Sequence, residues 1–241
     1  MIKVRTANLI KKLHWENDFF KIQCGELLDF DEPISEQETN KFDWIQGKVT
    51  IGDQKGVFFY ENEGFQFEDL RIGLFKIKSS HDVQAQDVSI RLAKLKDASY
   101  ITSIAEEVLV ENSRYLSVVG VEKTKFFYQK WVENAIVGIY DDFCYIIEIQ
   151  NKIVGFITLR KSKSRLEIGL LAIDKQFHSK GLGKALIHFS EGLLDRLECS
   201  SIHVVAAGKN IKAIQFYIGL GFNIEIIESW YYRFKEHNPP A

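Results

Sequence analysis

The rhythm of apolar and polar positions changes most sharply between Leu166 and Leu197. Glu167 to Ile173 is a nearly unbroken apolar run without polar alternation, which predicts a strand buried on both faces. Asp174 to Lys180 is charged and predicts a turn. Gly181-Leu182-Gly183-Lys184 then opens a helical pattern with apolar residues at Leu186, Phe189, Leu193, Leu194 and Leu197. Upstream, Phe143 to Ile149 and Ile153 to Leu159 flank a turn at Asn151-Lys152, the pattern of an antiparallel hairpin. Downstream, Ser201 to Ala206 predicts a strand and Asn210 to Leu220 a helix. Phe222 to Ile227 and Trp230 to Lys235 predict two closing strands.

The first half is less regular. Ser35 to Trp44 is expected to be a helix because Ser35 and Glu38 have the spacing of a capping box. Lys48 to Ile51 and Val57 to Tyr60 are short extended runs, and Phe65 to Ile77 alternates like a strand. Val88 to Ala93 predicts another strand. Asp97 is the expected cap of a helix with Ile101, Ile104, Ala105 and Val108 on one face. Glu122 to Ala135 predicts a second helix, whose Phe127, Tyr128 and Trp131 are expected in packing. Ser79 to Gln86 is polar and aperiodic, so the expected linker lies there and divides the chain into 1–84 and 85–241.

Composition narrows the function classes. The 241 residues are 46% hydrophobic and 27% charged with a net charge of -2, which leaves no electrostatic case for nucleic acid as a partner. No run of eighteen apolar residues exists, so no membrane-spanning helix is expected, and the basic N-terminal segment lacks the apolar stretch of a signal peptide. Cys24, Cys144 and Cys199 are few and widely spaced, which fits a reducing, cytoplasmic setting. Neither they nor the histidines have ligand spacing, so no metal is expected.

The candidate chemistry gathers at the glycines. A helix that begins on Gly181 exposes unpaired N–H groups at its positive end, and Lys180 and Lys184 add charge there. A dinucleotide fingerprint needs a third glycine, but the chain continues as Lys184-Ala185-Leu186; a phosphate loop of the Walker type is missing too. His178-Ser179-Lys180-Gly181-Leu182-Gly183 instead resembles the coenzyme A signature of the GCN5-related N-acetyltransferases (GNAT), Gln/Arg-x-x-Gly-x-Gly/Ala. His178 stands where Gln or Arg is usual. Asn210-x-x-Ala213-x-x-Phe216-Tyr217, closing at Gly221-Phe222, is similar to the second motif of that family. Asn210 is a good helix cap, Tyr217 follows two turns later on nearly the same face, and Gly221 supplies a left-handed terminator.

The resemblance implies an α/β fold with a mixed, mostly antiparallel sheet flanked by helices. It makes 85–241 the acetyltransferase domain and 1–84 a smaller, truncated α/β domain contributing to a sugar site. Acetyl-CoA is the implied co-substrate. Backbone N–H groups of Leu171, Ala172 and Ile173 would polarise its thioester, and those of the His178, Ser179, Lys180, Gly181, Leu182, Gly183 and Lys184 turn would hold its pyrophosphate. Asn210 and Phe216 would line the same site, and Tyr217 would protonate the departing thiolate.

Within that family, Trp15-Glu16-Asn17 with Phe19-Phe20, Gly64-Phe65 with Asp69, Ser113-Arg114-Tyr115, and Phe127-Tyr128 with Trp131 and Asn134 look like the branch that acetylates TDP-fucosamine. This implies transfer to the 4-amino group of a dTDP-4-amino-4,6-dideoxyhexose for surface polysaccharide. Arg114 and Tyr115 would contact the nucleotide-sugar, with Glu68 close to its amine and Asp69 as candidate base. From the residues alone, Glu68 and Asp69 read equally as a solvated pair on a strand edge, and a water chain could serve as base. Another amine (polyamine, antibiotic or peptide N-terminus), a non-catalytic CoA-binding module and a homodimer all stay open.

Overall fold

The computed structural model describes residues 10–29, 33–78 and 88–235. In chain order its elements are β1 (Ile10–Lys12), α1 (His14–Phe20), β2 (Cys24–Leu27), α2 (Glu36–Thr39), β3 (Trp44–Thr50), α3 (Gln54–Asn62), β4 (Gln66–Ile77), β5 (Ser89–Leu92), α4 (Ala98–Leu109), α5 (Leu116–Ile136), β6 (Phe143–Ile149), β7 (Lys152–Ser162), β8 (Arg165–Ile173), α6 (Leu182–Gly192), β9 (Ser201–Ala207), α7 (Ile211–Gly219) and β10 (Asn223–Phe234). They form two compact units, one of residues 1–71 with 226–241 and one of residues 72–225. The expected linker, Ser79 to Gln86, lies outside the described residues.

In the smaller unit β1 pairs antiparallel with β2, β2 runs parallel to β3, and β3 pairs antiparallel with β10 from Thr50–Glu228 to Trp44–Phe234. Ile45, Val49, Tyr60, Phe65 and Tyr231 form its core. Two expectations fail here. Val57 to Tyr60 is helical, inside α3: Asp53 caps the helix by accepting from the Gly56 N–H at 3.0 Å, and Tyr60 is buried while Phe58 is exposed. A contiguous apolar quartet fits either period, so pattern alone cannot choose. Ser35 does accept from the Glu38 N–H at 3.3 Å, but the helix it caps stops at Thr39. Trp44 instead begins β3, where it is buried between the pairing partners Cys24 and Phe234.

In the larger unit the strand order is β4-β9-β8-β7-β6-β5. The pairs from β5 to β8 are antiparallel, and β8 and β9 run parallel. Ile101, Ile104 and Ala105 of α4 and Val132 and Ala135 of α5 pack on Ile146, Phe156, Leu170 and Ala172. Side chains alternate across a sheet, so Tyr145 faces the other way, and there Phe189 of α6 meets it at 4.7 Å between ring centroids. The β6–β7 turn sits one residue earlier than expected, with Gln150 and Asn151 both at positive φ, the geometry that suits a two-residue hairpin. Asp97 does not cap α4; its carboxylate accepts from the Lys94 N–H at 2.8 Å and from Arg91, which holds its carboxyl below the usual range. The two closing strands are one, β10. Gly120, at φ 77 and ψ 171, breaks α5 into two pieces.

Candidate active site

The site begins where β8 leaves β9. Their parallel pairing runs from Arg165–Ser201 to Ile168–Val204 and stops, although the strands continue to Ile173 and Ala207. At that point β8 also shifts register against β7: Ile157 faces Leu171 and Leu159 faces Ile168, so Thr158 stands opposite both Gly169 and Leu170. Beyond this bulge the Asp174 N–H donates to the Val154 carbonyl at 2.9 Å, so alternate residues back from it turn toward β7. Ala172 therefore faces β7, with its methyl group in the core under α4. Leu171 and Ile173 turn their N–H groups the other way, to the side β9 has left.

The turn that follows is tightly specified. Asp174 accepts from the Gln176 N–H at 2.9 Å, and the His178 ring folds back so that Nε2 donates to the Ile173 carbonyl at 2.8 Å. Ser179 and Gly181 both have positive φ. No side chain caps α6 at Gly181, and the first helical bond is from the Ala185 N–H to the Gly181 carbonyl at 2.9 Å. The N–H groups of Leu182, Gly183 and Lys184 thus precede the helical ladder and point out of its positive end. Lys152 and Lys180 both lie over the Phe177 ring, at 4.9 and 4.6 Å, and Lys184 is exposed. This main-chain cradle, with glycine at its entrance, fits a diphosphate.

α7 closes the arrangement. Asn210 caps it by accepting from the Ala213 N–H at 3.1 Å, and Gly221 ends it at φ 85. A Cβ built on Gly183 would stand 3.1 Å from Phe216 Cζ and 3.9 Å from Ile173 Cγ1, so β8, α6 and α7 meet at that glycine. Tyr217 is buried between Phe216 and Phe222, and burial alone pushes its phenol well above the usual range.

Arg114 and Tyr115 lie just before α5. The Arg114 guanidinium sits 4.2 Å over the Tyr115 ring and donates to its hydroxyl. Lys209, next to Asn210, donates to the Ser113 carbonyl at 3.2 Å, which ties this loop to the start of α7. Tyr115, expected to meet the nucleotide-sugar, is buried, and with Phe127, Trp131 and Tyr140 it forms a chain of ring contacts; for Phe127 and Trp131 this is the expected packing. Glu68 and Asp69 belong to the smaller unit. Asp69 is buried and accepts from the Leu70 N–H at 2.8 Å, so it is not half of a solvated pair. Among the described residues no cluster of His, Cys, Asp or Glu could hold a metal ion, and no helix is long and apolar enough to cross a membrane.

Residues 107–222 match the model of the acetyltransferase (GNAT) family. Over that span the chain is similar to the GNAT acetyltransferases. A dTDP-fucosamine acetyltransferase of Escherichia coli O6:H1 is 24% identical over 234 residues, 93% of this chain and 97% of that one. A conserved protein of unknown function from Staphylococcus epidermidis has the same fold, with a TM-score of 0.62 at 12% identity over 89% of this chain and 84% of its own. The PaiA N-acetyltransferase of Thermoplasma acidophilum, solved in complex with coenzyme A, aligns with a TM-score of 0.50 at 16% identity over 62% of this chain and all of its own.

Within residues 107–222 sequence reasoning missed one group of residues. Trp131 Nε1 donates to Asp141 Oδ2 at 2.8 Å, the Thr158 hydroxyl bonds the same carboxylate, and the Leu170 N–H donates to Thr158 Oγ1 at 2.8 Å. Burial raises the Asp141 carboxyl above its usual range despite these donors. The available signal was Thr158 itself, the one hydroxyl in the apolar run Ile153 to Leu159, since a buried hydroxyl needs a partner.

Proposed function

We propose that the chain transfers an acetyl group from acetyl-CoA to the 4-amino group of a dTDP-4-amino-4,6-dideoxyhexose, a nucleotide-sugar for surface polysaccharide. The observation that carries the acceptor assignment is the extent of the similarity to the dTDP-fucosamine acetyltransferase. It covers 93% of the chain and so continues well outside the GNAT span of 107–222. Similarity confined to that span would support acetyl transfer and leave the acceptor undefined.

The residues have distinct tasks in this proposal. The N–H groups from Ser179 to Lys184 hold the pyrophosphate of acetyl-CoA, with the positive end of α6 supplying the field. The Leu171 and Ile173 N–H groups, turned to the opening beside β8, stabilise the charge that develops on the thioester oxygen. A neutral amine attacks the carbonyl directly, the C–S bond breaks, and Tyr217 gives its proton to the departing thiolate; the proton shed by the nitrogen leaves through a water chain and restores the phenol. Burial keeps that phenol protonated throughout the physiological range. Arg114 offers a rigid donor fork to the diphosphate of the sugar nucleotide.

The test is thiol release from acetyl-CoA with dTDP-4-amino-4,6-dideoxygalactose, spermidine and a peptide with a free N-terminus as competing acceptors. The expected result is a kcat/KM for the nucleotide-sugar at least about a hundredfold above the others. A preference for the polyamine or the peptide would replace the acceptor and leave the acetyl-transfer chemistry in place.

A further inference from the structure

Three features coincide on β8 within four residues. Ile168 makes the last pair with β9, the bulge follows at Gly169–Leu170, and the strand end that faces the opening starts at Leu171. The bulge is held from behind by a carboxylate that solvent does not reach, because Asp141 is 1% exposed and Thr158 fully buried. Thr158 has a single proton. Since its Oγ1 accepts from the Leu170 N–H, that proton goes to Asp141, which also accepts from Trp131. The donors therefore run in one direction, and a hydroxyl at 158 and an acceptor at 141 are both required. Gly169 completes the fit: a Cβ there would stand 2.8 Å from Thr158 Oγ1 and collide with Asp141 Oδ2.

A buried carboxylate is a costly way to fill space, and an apolar residue of similar size packs more favourably. What Asp141 supplies that an apolar residue cannot is a fixed acceptor behind the one hydroxyl that takes the Leu170 N–H out of the ladder. We infer that Asp141, acting through Thr158, is a positioning residue for acetyl transfer: it fixes the bulge and thereby the aim of the Leu171 and Ile173 N–H groups. The inference rests on the proposed use of those N–H groups at the thioester, and is independent of which amine accepts the acetyl group. Charge on a reacting oxygen is sensitive to donor aim, and misplacement by about 1 Å can cost roughly a hundredfold.

The test compares Thr158→Val, which keeps the shape and loses the hydroxyl, with Thr158→Ser, which keeps the hydroxyl and loses a methyl group. Thr158→Val should lower kcat about ten- to a hundredfold while CoA affinity by calorimetry changes less than about threefold; Thr158→Ser should restore kcat. Asp141→Leu, which keeps the bulk and loses the acceptor, should behave like Thr158→Val, and the double variant should lose no more than the worse single one. Rates are read with whichever amine the wild type acetylates, so a failed sugar assay counts against the acceptor assignment only. The NMR amide shifts of Leu171 and Ile173 on adding CoA decide the point without turnover. They should be the same in wild type and Thr158→Ser and displaced in Thr158→Val. Wild-type kcat or unchanged shifts in Thr158→Val overturn the inference, as do equal losses in both Thr158 variants that track their thermal midpoints. Should Asp141→Leu not fold, the Thr158 pair still decides.

Discussion

His178 Nε2 donates a hydrogen bond to the Ile173 carbonyl oxygen across 2.8 Å, joining the end of β8 to the turn that leads into α6. The acceptor is a carbonyl, so the ring must carry its proton on Nε2. This places His178 as a clamp on the turn through its side chain. Replacement by alanine should weaken CoA binding about two- to tenfold, the worth of one neutral hydrogen bond. Glutamine, which also carries a donor at the end of its side chain, should recover most of that affinity. Calorimetric titration of CoA into the two variants is the check.

The glycines around α6 should fail for different reasons. Gly181 adopts φ 76, so valine there is strained, misplaces the N–H groups of Leu182 to Lys184, and should weaken CoA binding at least about tenfold. Gly183 has ordinary backbone angles but faces Phe216, so alanine asks the ring to move by a few tenths of an ångström and should cost about 1 kcal/mol of stability. Pairing Gly183→Ala with Phe216→Leu should recover part of that loss in a denaturant melt. Unchanged CoA affinity in Gly181→Val would remove the turn from the cofactor site.

Tyr217→Phe keeps the ring between Phe216 and Phe222 and removes only the hydroxyl that carries the proton. It should lower kcat about a hundred- to ten-thousandfold and leave CoA affinity nearly unchanged, because the hydroxyl matters once charge develops on sulfur. The same phenol makes a statement about stability. Its pKa is raised in the fold, so above about pH 10 the unfolded chain releases a proton that the folded chain keeps. Stability is therefore intact below that pH and falls as the pH rises through it. Tyr60, Tyr128, Tyr231 and Cys144, whose thiol is pushed up to about 12, act in the same direction. Urea melts between pH 8 and pH 11 should show this decline, with a smaller slope in Tyr217→Phe.

Arg114→Ala should raise the KM of the nucleotide-sugar about ten- to a hundredfold, as expected for loss of a charge-assisted contact, with the KM of acetyl-CoA nearly unchanged. Arg114→Lys keeps the charge but not the fork, and should lie between the two. Steady-state kinetics with each substrate varied in turn separates this from a packing defect over Tyr115, which would lower both apparent affinities.

Local chemistry at the site was legible in the sequence wherever one residue type has one job. Asn210 caps α7, Gly181 opens α6, Gly221 takes a left-handed angle, and the β6–β7 hairpin lies within one residue of its expected turn. Failures came where the outcome depends on distant partners. Val57 to Tyr60 became helix because Gly47 of β3 leaves room for the Tyr60 ring, and nothing in a four-residue apolar run reveals a glycine ten positions upstream. Asp97 looked like a cap, yet Arg91 and Glu148 claim its surroundings. Asp141 left no local trace at all, because its partners Trp131 and Thr158 belong to different elements.

The bond from Lys209 to the Ser113 carbonyl joins positions 96 residues apart in the chain. One end is the loop proposed to meet the acceptor; the other adjoins the cap of the helix that carries Tyr217. Acceptor preference and catalytic geometry are therefore not separable modules of this sequence. A chimaera that imports residues 113–117 from a relative with another acceptor inherits a loop whose anchor was left behind, unless position 209 travels with it.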